Sequence, residues 1–203
     1  MLIYLLVLLE IVSEGEYWSN TDIQLLNSIN HNRINGLDNL FICLTDTVSF
    51  VGILLIVLFF TWSYKKKDKV IRRNAISISI GWLCAVLIAN LLKYCINRPR
   101  PFTTHAFIEK LSTGGSPSFP SGHTTDAFAI ATAICLCYPR WYTLLIMYTW
   151  AFAVAYSRIC LGVHYPSDVL AGMATGITTV IACFYVMNKY TKNKIQTHAR
   201  LSE

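Results

Sequence analysis

Residues 157–168, SRICLGVHYPSD, place an arginine, a histidine and an aspartate between two long apolar segments. Ionisable side chains at a membrane boundary are costly to desolvate unless paired or bound, so Arg158, His164 and Asp168 mark a site. Two polar groups precede them: Lys93 with Arg98 and Arg100, and Ser121 with His123. The residue types are complementary. Three or four fixed cations can bind a phosphate and stabilise the charge that builds on its equatorial oxygens during transfer. Two histidines can supply a nucleophile and a proton donor.

The local backbone sharpens this chemistry. Pro120 and Ser121 precede an apolar helical run, which puts Gly122 and His123 in a first turn, where free N–H groups and the helix dipole favour an anion. Gly122 has no side chain to block the approach. Pro166 and Ser167 likewise open the last helix, with Asp168 in its first turn and His164 just before it. An aspartate there can accept the proton-bearing nitrogen of His164 and leave the other nitrogen free to attack phosphorus.

The elements that must position these groups are membrane helices. The chain has 203 residues, enough for one domain, and 54% of them are hydrophobic. Its mean hydropathy of +0.46 excludes an ordinary soluble domain. Several apolar stretches approach the ~20 residues that cross a bilayer as helix, and lipid offers no partner to unpaired backbone. The expected fold is all-α: a polytopic transmembrane bundle of five to six membrane helices plus an interfacial amphipathic helix.

Along the chain, Met1–Val12 is short for a span and is expected as part of a first membrane helix or an interfacial anchor; it is a poor signal peptide. Residues 17–30 mix apolar and polar side chains in the pattern of a helix lying along the headgroups. Spans are expected over 37–62, 75–94, 122–138, 141–156 and 169–188. Proline-rich RPRP and SPSFP break helix between the second and third. The net charge of +6 lies beside apolar segments, so the positive-inside rule accounts for it without nucleic acid. Placing Lys65–Arg73 in the cytoplasm puts the tail with Lys189, Lys192, Lys194 and Arg200 there too. All three polar groups then fall on the extracytoplasmic side. Gly172 and Gly176 form a GxxxG spacing suited to close packing or a lipid-facing surface. The seven cysteines lack metal-site spacing and read as small packing residues.

Lys93 to Pro101, KYCINRPRP, fits KxxxxxxRP; residues 120–123 read PSGH; Ser157 to Asp168 fits SRxxxxxHxxxD. In this order they resemble the three signature motifs of the type 2 phosphatidic acid phosphatase superfamily. That family includes membrane lipid phosphatases, glucose-6-phosphatases and vanadium haloperoxidases. The motifs and their loops cover residues 93–170 of a single domain, 1–203.

The resemblance implies a two-step hydrolysis that needs no metal or other cofactor. By analogy His164 attacks phosphorus to give a phosphohistidine, His123 protonates the leaving oxygen and Asp168 orients His164. Lys93, Arg100, Ser121, Gly122 and Arg158 hold the phosphoryl oxygens. The implied substrate is a lipid mono- or diphosphate at the outer face of the cell membrane: undecaprenyl diphosphate, phosphatidylglycerophosphate, phosphatidate or a lipid A phosphate. A phosphotransferase passing the group to a lipid or sugar acceptor is the alternative. Vanadium-dependent haloperoxidase chemistry fits less well, because the family's haloperoxidases are soluble.

The motif selects Arg100 over Arg98, which is expected as a solvated interfacial charge or a contact to a second phosphate. Asp126 is expected in helix-face packing or hydrogen bonding. His105 and Glu109 are expected as ordinary loop residues, with headgroup recognition as their functional alternative.

Overall fold

The structure is a computed structural model and describes residues 15–201. Met1–Val12, with its expected anchor, lies outside the described residues. Secondary structure is helical, without strands among the described residues: α1 Gly15–His31, α2 Asp38–Lys66, α3 Lys69–Ile96, α4 Gly122–Cys137, α5 Trp141–Cys160 and α6 Pro166–Leu201, with short turns at Asn35–Leu37 and Pro101–Thr104. The five expected spans correspond to α2–α6; α2, α3, α5 and α6 extend beyond the apolar runs that predicted them, and α4 ends one residue short of its run.

Helix ends follow local chemistry. Asp68 caps α3 by accepting from the N–H groups of Val70 at 2.7 Å and Ile71 at 3.2 Å. Lys67 and Asn97, both at left-handed φ, close α2 and α3. Three stretches are long and apolar enough to cross a membrane: Lys69–Thr104, Trp141–Cys160 and Pro166–Thr191. The halves Asn35–Val48 and Phe50–Lys66, bent by 40°, would make a fourth. Helix α4, at 16 residues, falls below that length. It is central, touching α2, α3, α5 and α6, and is buried on nearly all sides from Thr124 to Cys135.

Side-chain sizes are sorted by the solvent outside. On α3, Ala85 and Ala89 face inward while Leu83, Leu87 and Leu91 form an exposed stripe at helical spacing. On α5, Ala151, Val154 and Ala155 face α4, and Leu144, Leu145 and Ile146 face out. Small residues inside let helices approach closely where lipid supplies no hydrophobic drive for association.

The closest approach is between α4 and α6. A Cβ on Gly172 would stand 2.8 Å from the Ser121 carbonyl oxygen, and one on Gly176 would stand 2.5 Å from the Thr125 carbonyl oxygen and 2.9 Å from the Ala129 nitrogen. The GxxxG pair is therefore an internal seam with no lipid-facing role, and it holds the PSGH turn beside the start of α6.

Helix α1 docks through a stripe at i, i+4 spacing, Asp22, Leu26 and Asn30, all buried. Asn30 Nδ2 donates to the carbonyls of Cys160 (2.8 Å) and Glu109 (3.2 Å), and its Oδ1 accepts from the Glu109 N–H at 3.0 Å. Gly162 permits this junction: at φ +68° it has a backbone few other residues adopt, and its face toward Glu109 has no room for a Cβ.

Gly176→Val is expected to lower the thermal midpoint of the detergent-solubilised protein, costing at least the ~1–3 kcal/mol typical of overpacking, because backbone atoms cannot yield. Gly36→Ala, where an added Cβ meets nothing within 4 Å, should leave the midpoint in place. Equal midpoints for the two variants would rule out the seam.

Candidate active site

The end of α3, the start of α4, the end of α5 and the start of α6 lie at one end of the bundle. Between them is a cavity of about 360 Å³. Lys93, Arg100, Gly122, His123, Arg158 and His164 all line it, so five elements or loops far apart in sequence deliver the expected groups to one place. Ser121 and Asp168 are buried behind this wall and do not line it. Ser121 instead bonds Thr124 Oγ1 at 2.9 Å, and its N–H donates to the Asp168 carbonyl at 3.0 Å.

The hydrogen bonds of the three lining cations go to neutral oxygens. Lys93 Nζ donates to the Pro117 carbonyl at 2.7 Å. Arg100 donates from Nε to the Ser116 carbonyl at 2.8 Å and from Nη1 to the Val163 carbonyl at 3.1 Å. Arg158 Nη1 donates to Thr45 Oγ1 at 2.7 Å, while its buried Nε has no protein acceptor. Three nearly buried cations within Coulombic reach of one another, none in a direct ion pair among the described residues, make a strongly positive cavity. An anion is what such a site can neutralise.

His164 is buried, and desolvation holds its imidazole well below the ordinary histidine range; Asp168 opposes this and Arg100 and Arg158 add to it. It is therefore neutral at neutral pH, the form a nucleophile requires. Its Nδ1 lies 3.5 Å from Asp168 Oδ2, inside ion-pair range but without a hydrogen bond. The expected aspartate–histidine contact is thus looser than the sequence implied. Oδ2 already accepts from Ser118 Oγ (2.5 Å) and the Tyr165 N–H (3.0 Å). Catalytic hydrogen bonds of this kind commonly tighten once the reacting group is in place.

Residues 74–192, more than half of the chain, match the PAP2 superfamily. The chain belongs to the PAP2 superfamily. A lipid A 1-phosphatase of Rhizobium etli is 32% identical over 145 residues, 64% of this chain and 62% of that protein. An undecaprenyl-diphosphatase of Sulfolobus acidocaldarius is 29% identical over 168 residues, 80% of this chain and 76% of that protein. The chain spans less than two thirds of the length of the R. etli relative. Among solved structures, Aquifex aeolicus LpxE superposes with a TM-score of 0.72 at 27% identity, covering 80% of this chain and 94% of that one. A PAP2-type phosphatidylglycerolphosphate phosphatase of Bacillus subtilis shares the fold, with a TM-score of 0.76 at 23% identity over 93% of this chain.

Beyond the PAP2 motifs, the structure corrects the reading of Arg98. It is not a solvated charge: its side chain is 24% exposed and joins two carboxylates, with Nη1 on Asp168 Oδ1 at 2.7 Å and Nη2 on Asp22 Oδ2 at 2.8 Å. Nη1 also donates to Ser167 Oγ at 2.7 Å, and the guanidinium lies 3.9 Å over the Tyr165 ring. Asp22 in turn accepts from the Ser167 N–H at 2.9 Å and from its hydroxyl. Sequence reasoning missed Asp22, Ser118, Thr45 and the segment Thr113–Ser116, which lines the cavity. The adjacent glycines 114 and 115 were the available signal for that segment: Gly114 lies so close to the Arg100 guanidinium that a Cβ would collide with it. His105 and Glu109 lie outside the cavity; His105 faces the edge of Tyr165, and Glu109 pairs with Arg33 at 2.5 Å.

Removing one partner of a buried ion pair costs ~3–5 kcal/mol. Asp22→Asn and Arg98→Gln should each lower unfolding stability on that scale, and the double variant should lose clearly less than the sum of the two. Additive losses would show that the pair does not act as a unit.

Proposed function

We propose that this protein is an integral-membrane phosphatase that removes a phosphate group from a membrane lipid, with the three lining cations as its phosphate cradle. The observation that carries this reading is the convergence of Lys93, Arg100 and Arg158, none bound to a carboxylate among the described residues, with His123 and His164 on one cavity. That cavity continues along α3 past Ala89 and Val86, an apolar wall suited to a lipid chain. The names of the relatives, lipid A phosphatases and undecaprenyl-diphosphatases, support a lipid mono- or diphosphate.

In the proposed reaction, His164 Nε2 attacks phosphorus as the bond to the leaving oxygen breaks, and His123 gives its proton to that oxygen. His123 then takes a proton from water, whose oxygen displaces the histidine nitrogen and releases phosphate. Asp168 holds His164 and stabilises the charge it acquires. Gly122 and the first turn of α4 add backbone donors to the side-chain cations. Ser121 acts from beneath the wall by holding that turn.

If His164 is the nucleophile, rapid acid-free quench with a labelled lipid phosphate should trap a phosphohistidine on it, and His164→Ala should lose intermediate and turnover together. His123→Ala should lose roughly 100- to 10,000-fold, and less on a nitrophenyl phosphate whose leaving group needs no proton. Label on His123, or full activity in His164→Ala, would reverse the roles.

The site is further proposed to face away from the cytoplasm, because the basic segment Lys65–Arg73 lies at the opposite end of the bundle. Gly115, where an added Cβ meets nothing within 4 Å, is the position to probe. In intact cells, a Gly115→Cys variant should take up an impermeant thiol reagent above the parent protein, and a C-terminal reporter should read as cytoplasmic. The opposite pair of results would invert the topology.

A further inference from the structure

Two polar side chains in the cavity have no part in holding the phosphate. Asn90 precedes Lys93 by three residues on α3, and Asp126 follows His123 by three on α4; both line the cavity. The two helices run in opposite senses at this end, so each residue lies about 4.5 Å below the catalytic layer, toward the membrane interior. That is the depth at which atoms attached to the leaving oxygen must sit, since His123 marks the leaving oxygen itself.

Their hydrogen bonds are incomplete. Asn90 Nδ2 donates to the Val86 carbonyl at 2.9 Å, a bond within its own helix that leaves the amide oxygen to accept from elsewhere. The Asp126 carboxylate has Trp82 as a neighbour on its membrane side, with the indole N–H short of hydrogen-bond geometry, and Lys93 within Coulombic reach. A carboxylate offers about four acceptor positions, so most of its capacity is open to the cavity. Asp126 is half-buried and Asn90 is exposed, both on the cavity wall that Val86 and Ala89 share, and a carboxylate at this depth of a membrane is costly without a partner.

We propose that Asp126 and Asn90 form a headgroup subsite that selects lipid phosphomonoesters whose phosphate hangs on a hydroxylated sugar or glycerol, and that disfavours diphosphates. This rests on the lipid phosphatase reading above. A hydroxyl next to the leaving oxygen donates to the Asp126 carboxylate or the Asn90 amide oxygen. A diphosphate would place its second phosphate at the same depth, against the Asp126 charge. Lys93, Arg100 and Arg158 are the only cations lining the cavity among the described residues, and the reacting phosphate already uses them. A bare hydrocarbon chain would leave both polar groups unpaired.

The test compares kcat/KM of the full-length protein in detergent on phosphatidylglycerophosphate, whose headgroup has a free hydroxyl, on phosphatidate, whose leaving alcohol has none, and on undecaprenyl diphosphate. The parent should prefer phosphatidylglycerophosphate. Asp126→Ala should shrink its preference over phosphatidate by roughly 10- to 100-fold, the worth of a hydrogen bond to a charged group, and improve undecaprenyl diphosphate relative to both. Asn90→Ala, on the other helix, should move the first ratio the same way, which guards against a folding defect in either variant. Equal changes on all three lipids, as a merely structural Asp126 would give, or a parent that prefers undecaprenyl diphosphate, would overturn the subsite. Phosphate release from none of the three would sink the phosphatase reading itself.

Discussion

Arg98 is the interaction on which the site depends. Asp168 is fully buried, and a carboxylate there is tolerable only if its charge is matched and its oxygens are bonded. Arg98 supplies the charge, while Ser118 and the Tyr165 N–H supply the remaining bonds. The same guanidinium also holds Asp22 of α1, which grips the first turn of α6 through Ser167. One side chain thus ties a peripheral helix, the RPRP segment and the helix carrying Asp168 into a single node. His164 sits four residues before Asp168 and inherits its position from that node.

This pairing divides the cations into two kinds. Arg98 is neutralised by two carboxylates and faces away from the cavity, so it is structural. Lys93, Arg100 and Arg158 bond carbonyl and hydroxyl oxygens that fix their direction without cancelling their charge. Fixing a cation by neutral acceptors keeps its field available in a desolvated pocket, where it acts more strongly than in water. The folded protein bears the cost of crowding like charges, and an incoming anion relieves it.

Packing sets how finely these groups are placed. Helix α4 is short, central and enclosed, and its N-terminus can approach α6 only because Gly172 and Gly176 have no side chains. The seam fixes the distance between the two turns that present His123 and His164. Lipid, not water, meets the outer leucine and isoleucine stripes, so the helices owe their association to close fit and to buried polar bonds such as those of Asn30 and Thr45.

The sequence by itself determined the membrane class, the presence and order of α2–α6 and six of the residues that line the cavity, Lys93, Arg100, Gly122, His123, Arg158 and His164. These are local or spacing properties: apolar runs of crossing length, prolines that open helices, and motifs whose members keep fixed distances along the chain. Tertiary structure alone decided the placement of Arg98, Asp22, Ser118 and Thr45. Each acts on a residue distant in sequence, 76 positions away for Arg98 and Asp22 and 113 for Arg158 and Thr45. The inward stripe of α1 was illegible for a related reason: two of its three buried residues are polar, and a hydrophobic pattern cannot show that Asp22 and Asn30 face inward until their partners are in place. The KxxxxxxRP spacing already singled out Arg100, but only the placement of Asp22 and Asp168 shows that Arg98, two positions away, is a brace and not a solvated charge.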